Sequence, residues 1–138
     1  MAGKTLGVVG VGKIGKHVVR IARGFEMKVL ASDRHPDDFL AEEMNFKYVS
    51  FEELLRSSDI VTLHIPFSKE DYHLMNKKTF QLMKKGTILI NTSRGGIIET
   101  SALVRALEEG ILIGAGLDVL EEECYIKEEW ELLTKGFT

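Results

Sequence analysis

Residues Leu6 to Gly15 read LGVVGVGKIG, a short apolar strand running directly into Gly10-Val11-Gly12-Lys13-Ile14-Gly15. An apolar run with helical spacing follows, then a second strand, Lys28-Val29-Leu30-Ala31-Ser32, which ends on Asp33, 23 residues beyond Gly10. Glycines at this spacing between a strand and a helix answer three separate steric demands. The first permits a tight turn, the second lets backbone approach a pyrophosphate, and the third lets helix pack closely on strand. A glycine-rich turn alone is weak evidence. With the strand before it, the helix after it and the carboxylate ending the next strand, it reads as a dinucleotide-binding βαβ unit.

The chain has 138 residues, enough for one domain with a real core, so residues 1–138 are expected to form a single dinucleotide-binding domain. Hydrophobic content of 44% and charged content of 28% are those of a soluble globular protein. The longest apolar stretches are strand-sized, too short to span a membrane. Met1-Ala2-Gly3-Lys4 leads straight into the first strand, leaving no room for a signal peptide. Cys124 is the single cysteine, which excludes an internal disulfide and fits a reducing, cytoplasmic setting. It sits among glutamates, which disfavour a thiolate nucleophile. A net charge of −3 with interspersed signs gives no basic stripe for nucleic acid. His17, His35, His64 and His73 show no zinc-type spacing, so no metal site is expected.

Six strand candidates, roughly 6–10, 28–33, 47–49, 60–65, 87–91 and 112–118, alternate with helical segments. The first helix is expected to bury Ile14, Val18, Ile21, Ala22 and Phe25. A short second helix covers 37–44. The third opens on the capping-box pair Ser50 and Glu53 and buries Phe51, Leu54 and Leu55. The fourth begins at Asn76, turns Phe80 and Met83 inward and stops at Gly86, and the fifth runs from about Ser101 to Glu109 before Gly110. This alternation predicts an α/β fold: a doubly wound parallel sheet of the Rossmann type, strand order 3-2-1-4-5-6.

Ligands of such sheets sit at the carboxyl ends of the strands. Those ends carry Gly10, Asp33, Ile65-Pro66, Asn91-Thr92-Ser93-Arg94-Gly95-Gly96 and Asp118, so polar and glycine-rich chemistry gathers on one edge. Asp33 is placed to accept hydrogen bonds from the adenosine ribose, bonds worth roughly 1.5–3 kcal/mol each. It would repel a 2′-phosphate by a few kcal/mol at an effective dielectric of about 20, favouring NAD over NADP. Arg34 and His35 follow at once and would soften that preference. Arg94 is a cation in a Ser-Arg-Gly-Gly loop, suited to hold a carboxylate or carbonyl in its planar fork. On pattern alone, the acidic run Glu121-Glu122-Glu123 reads as a solvated face.

Taken together, these segments resemble the nicotinamide-binding domain of the D-isomer-specific 2-hydroxyacid dehydrogenases, a family that includes D-lactate and phosphoglycerate dehydrogenases. The resemblance covers essentially Leu6 to Glu123 and rests on GVGKIG, Asp33, LHIP at 63–66, INTSRGG at 90–96 and GAGLDVLEEE at 114–123. Their order and separations match, including 24 residues from Arg94 to Asp118. It implies an NAD-dependent oxidoreductase that passes hydride between the cofactor and a D-2-hydroxy or 2-keto acid. Arg94 would orient the substrate, and Glu123 would partner a catalytic histidine. Gly10, Gly12, Lys13, Ile14 and Gly15 would lie by the pyrophosphate, Ile65 and Pro66 near the adenine side, and Asp71 near the cofactor. Thr92, Ser93, Arg94 and Asp118 would lie at the nicotinamide end. The resemblance also implies homodimerisation through this domain, for which Leu103, Ile111 and Ile113 beside the last strand are candidate contacts.

Three departures stand out. Asp71 occupies a position where the family usually has threonine or asparagine. Cys124 stands where proline commonly follows the glutamate, and the acidic segment to Thr138 looks more like the D-lactate dehydrogenase branch. The family's acid/base histidine and the domain that closes over substrate have no counterpart in these 138 residues, so the chain reads as an excised cofactor domain. An NAD-sensing interaction domain without turnover, as in corepressors of the same fold, remains the alternative. A hydrolase with a tightly held cofactor fits the Arg94–Glu123 spacing less well.

Overall fold

A computed structural model describes residues 3–66 and 69–117. In chain order the elements are β1 (Thr5–Val9), α1 (Lys13–Gly24), β2 (Lys28–Ser32), α2 (Asp38–Met44), β3 (Lys47–Tyr48), α3 (Phe51–Ser57) and β4 (Ile60–Leu63). After these come a 3-10 turn (Lys69–Asp71), α4 (Lys77–Phe80), β5 (Thr87–Asn91), a second 3-10 turn (Gly95–Ile97), α5 (Thr100–Glu108) and β6 (Leu112–Leu117). All six strands are parallel, in the order β3-β2-β1-β4-β5-β6. The expected sheet is the observed one.

Alternate residues of each strand feed two cores, because side chains of a strand point to opposite faces. Leu6 and Val8 of β1 join Val29 and Ala31 of β2 under Val19 and Ala22 of α1, with Leu40, Ala41 and Met44 of α2 packed alongside. Val9 of β1 joins Val61, Leu63 and Leu89 under Leu54 and Leu55 of α3, Phe80 of α4 and Leu103 of α5. The chain therefore changes face in the β3–α3–β4 connection, and the switch point lies between β1 and β4. Gly7 lets α3 approach, since a Cβ there would lie 2.3 Å from Ser58 Oγ and 2.6 Å from Leu54 Cδ2.

Two expectations need correction. In α1 the buried positions are Gly15, Val19 and Ala22, whereas Ile14, Ile21 and Phe25 are 66, 61 and 58% exposed. The apolar stripe is wider than the surface β1 and β2 offer, so only its inner residues are covered. The fourth helix ends at Phe80, well before Gly86. It is capped as the sequence suggests, by Asn76, whose side chain accepts from Lys78 and Thr79 N–H while Thr79 Oγ1 accepts from Asn76 N–H. A second turn then brings Met83 into the core, and Gly86 takes a positive φ of 88° before β5.

Candidate cofactor site

Gly10 ends β1 with φ of +91°, which strongly favours glycine over an L-residue, and its N–H donates to Ser32 O at 2.8 Å. A Cβ there would also lie 2.8 Å from His64 O and 2.6 Å from the Ile65 side chain. The turn is therefore wedged into the crevice between β1 and β4. Gly15 serves packing, since its absent Cβ would stand 2.4 Å from Gly10 O. Gly12 is the opposite case: a Cβ there would meet nothing within 4 Å. It caps α1, a twelve-residue helix with no acidic residue in its first turn. That open space over the free N–H groups of a helix start fits a pyrophosphate. Lys13 and Ile14 are exposed beside it, so Ile14 belongs with this turn and not with the core.

Asp33 has a duty the sequence did not reveal. Its Oδ2 accepts from Val11 N–H at 2.8 Å, tying the end of β2 to the glycine turn, and its Oδ1 accepts from His35 N–H at 2.9 Å. A carboxylate offers about four acceptor sites, so two remain for a ribose diol. Next to it lies a cavity of about 190 Å³ walled by Val9, Phe51, Ile65 and Leu74, with Asp33, Arg34 and Asp71 also lining it. Apolar walls with a carboxylate beside them suit a flat base joined to a ribose. Ile65 lines this cavity, and Pro66 is exposed next to it in sequence. Phe51 was expected as a buried residue of the third helix, and Leu74 carried no expectation.

At the other end of the edge, Asn91 organises the loop after β5. It is fully buried; its Nδ2 donates to Arg94 O at 3.0 Å and its Oδ1 accepts from Ser93 N–H at 3.0 Å. Ser93 Oγ donates to Leu63 O at 2.8 Å, anchoring the loop to the end of β4. Thr92 and the Arg94 side chain are left exposed. An asparagine two residues before a turn serine is a legible brace, since Asn side chains readily bond backbone two residues on. His64 sits at the end of β4, its Nε2 2.8 Å from Thr62 Oγ1, and burial holds its imidazole below the ordinary pKa. His73 pairs with Glu99 and stacks on Tyr72. Asp118, Glu121, Glu122, Glu123 and Cys124 lie outside the described residues.

The edge thus holds a glycine turn at a helix start, a carboxylate beside a largely apolar cavity, and a braced loop presenting a cation. Residues 1–135 match the family described as D-isomer specific 2-hydroxyacid dehydrogenase, NAD binding domain. The chain belongs to this family. NAD is accordingly the cofactor of the domain, and the glycine turn, Asp33 and the adjoining cavity fit it. The chain is 50% identical over 129 residues to a glyoxylate reductase of Thermococcus litoralis, covering 94% of this chain and 39% of that protein. It is 47% identical over 127 residues to one from Pyrococcus horikoshii, covering 92% and 38%. Its fold matches D-lactate dehydrogenase with NAD+ from Lactobacillus jensenii with a TM-score of 0.87 at 34% identity, covering 96% of this chain and 42% of that one. The chain therefore spans about two fifths of the length of these relatives.

Proposed function

We propose that the chain is the cofactor domain of a reductase that interconverts a 2-keto acid and its D-2-hydroxy acid. The observation that carries this reading is Arg94, left exposed by a loop that Asn91 and Ser93 brace at the carboxyl end of β5. NAD supplies hydride transfer at its nicotinamide. Arg94 binds the substrate carboxylate and polarises the carbonyl, a planar fork meeting a planar group. Glu123 holds a histidine supplied by the rest of the protein and raises its pKa, so that it can deliver a proton. Gly10, Gly12, Lys13, Ile14 and Gly15 bind pyrophosphate; Asp33, Ile65, Pro66 and Asp71 form the adenosine end. Thr92, Ser93 and Asp118 contact the nicotinamide end. Substrate is a small acid such as glyoxylate or pyruvate, in keeping with the glyoxylate reductases among its relatives.

The protein is further read as a cytoplasmic homodimer. Of the three contact residues named from sequence, Leu103 and Ile111 are buried in their own core, so only Ile113 supports pairing. Among the described residues no helix is long and apolar enough to cross a membrane.

Activity is tested by following NADH oxidation with glyoxylate, pyruvate and hydroxypyruvate. The 138-residue chain should bind NADH yet turn over slowly, because losing the acid/base group alone costs about 10²–10⁴-fold and losing substrate positioning adds to that. The protein extended to the length of its relatives should be active, and Arg94→Ala should abolish most of that activity with NADH binding retained. Appreciable turnover by the 138-residue chain would refute the assignment of the chemistry to the missing histidine. A dead extended protein that still binds NADH would favour a sensing role.

A further inference from the structure

The residue after Asp33 does something its position does not announce. Arg34 leaves the end of β2 and reaches across the mouth of the adenosine cavity to the 3-10 turn that follows β4. There its Nη1 meets Glu70 Oε2 at 3.0 Å and its Nη2 bonds to Asp71 Oδ1. The two carboxylates are not equivalent. Glu70 is 77% exposed, so its pairing is weak, while the Asp71 side chain is only 8% exposed. The bond to this nearly buried carboxylate is the stronger of the two, with the Arg34 side chain itself 54% exposed.

An arginine just beyond the ribose carboxylate is the residue type that accommodates the 2′-phosphate in NADP-binding sheets of this kind. Arg34 stands where it could do this, and the cavity it lines also contains Asp33. Two of its five N–H donors nonetheless face carboxylates, one of them nearly buried. A 2′-phosphate arriving there would meet Asp33 and a guanidinium whose charge two carboxylates already offset, and would compete with Asp71 for the Nη2 side of the fork. We propose that Asp71, assisted by Glu70, is a coenzyme-selectivity determinant, acting by holding Arg34 away from the 2′-phosphate of NADP(H). It is a positioning residue, and the proposal rests on the adenosine moiety lying at Asp33. It also gives a physical use to the carboxylate at a position where threonine or asparagine was expected.

The experiment measures Kd for NADH and NADPH by calorimetry on the chain and on Asp71→Asn, Glu70→Gln, Arg34→Ala and Asp71→Asn/Arg34→Ala. The readout is the ratio Kd(NADPH)/Kd(NADH). Asp71→Asn should lower it about tenfold or more, the worth of one charge-assisted bond. Glu70→Gln, on an exposed side chain that the fold does not need, should lower it about twofold. In the Arg34→Ala background, Asp71→Asn should lose most of its effect. An unchanged ratio in Asp71→Asn would overturn the proposal, as would a full gain without Arg34, since that is plain removal of negative charge. If Asp71→Asn does not fold, Glu70→Gln decides, and no fall in its ratio counts against the proposal. Failure of the unsubstituted chain to bind NADH would instead overturn the adenosine-site reading itself.

Discussion

Asp59, the residue just before β4, does structural work that no motif announces. Its Oδ2 accepts from Thr5 N–H at 2.9 Å and its Oδ1 from Lys84 Nζ at 2.8 Å. Its backbone N–H and C=O pair with Thr5 O and Ile88 N–H. One residue thus pins the starts of β1, β4 and β5 together. The Lys84 ammonium, followed by the Thr5 N–H, holds its carboxyl below the usual carboxylate pKa. Because the folded value is the lower one, the stabilisation is complete above the unfolded carboxylate's pKa and is lost as pH falls through the folded value. Lys84 is half exposed, so solvent screens the ion pair and its contribution is modest. Asp59→Asn should cost about 1–2 kcal/mol at neutral pH. In urea titrations the gap from the unsubstituted protein should close as the pH is taken down into the carboxylate range; a gap constant with pH would assign the effect to packing.

Among elements, the β1–α1 turn separates fold from function one glycine at a time. Gly15→Ala puts a methyl group against Gly10 O, where backbone cannot yield cheaply, and should destabilise by about 1–3 kcal/mol. Gly12→Ala meets open space in an ordinary backbone region, φ −91°. It should leave the melting temperature nearly unchanged, within about 0.5 kcal/mol, yet weaken NADH binding at least tenfold by filling the pyrophosphate approach. Thermal melts and calorimetry on the two variants check this, and a Gly12→Ala chain that binds NADH normally would place the pyrophosphate elsewhere. This turn was legible in sequence because it depends on residues close together in the chain, and the sheet order because it follows from the alternation of strands and helices. What was not legible depends on residues far apart. The Arg34–Asp71 pair spans 37 positions, the Thr5–Asp59 bond 54, and the Phe51 and Leu74 walls of the adenosine cavity come from separate connections. The α1 misreading has a related cause: periodicity marks an apolar stripe but not how much of it a neighbour covers.

At the scale of the whole molecule, the handedness of its crossovers decides which face the described residues leave bare. Connections stepping from β1 to β3 and those stepping from β3 through β4 to β6 run in opposite directions across the sheet. Right-handed crossovers therefore send them to opposite faces. That places α1 and α2 on one face and α3, α4 and α5 on the other, as their two cores show. None of these crossovers can cover the α1 face over β4, β5 and β6. A groove of about 370 Å³ runs there, lined by Ile21 and Phe25 of α1 with Ile60, Thr62 and Ile90 of the sheet. Its Gly114 and Gly116 neighbours in β6 add no side chains beside Ile88 and Ile90. It is almost wholly apolar, and an exposed apolar surface of this kind has the character of a contact surface. The folded 138-residue chain should bind a hydrophobic dye such as ANS and self-associate as its concentration rises in light scattering. Phe25→Ser, at a side chain already more than half exposed, should reduce both with little loss of melting temperature. Leu103→Ser, on the covered face, should instead unfold the domain, since that side chain is 1% exposed within the core. Dye binding unaltered by Phe25→Ser would show that this face is not the surface exposed in solution.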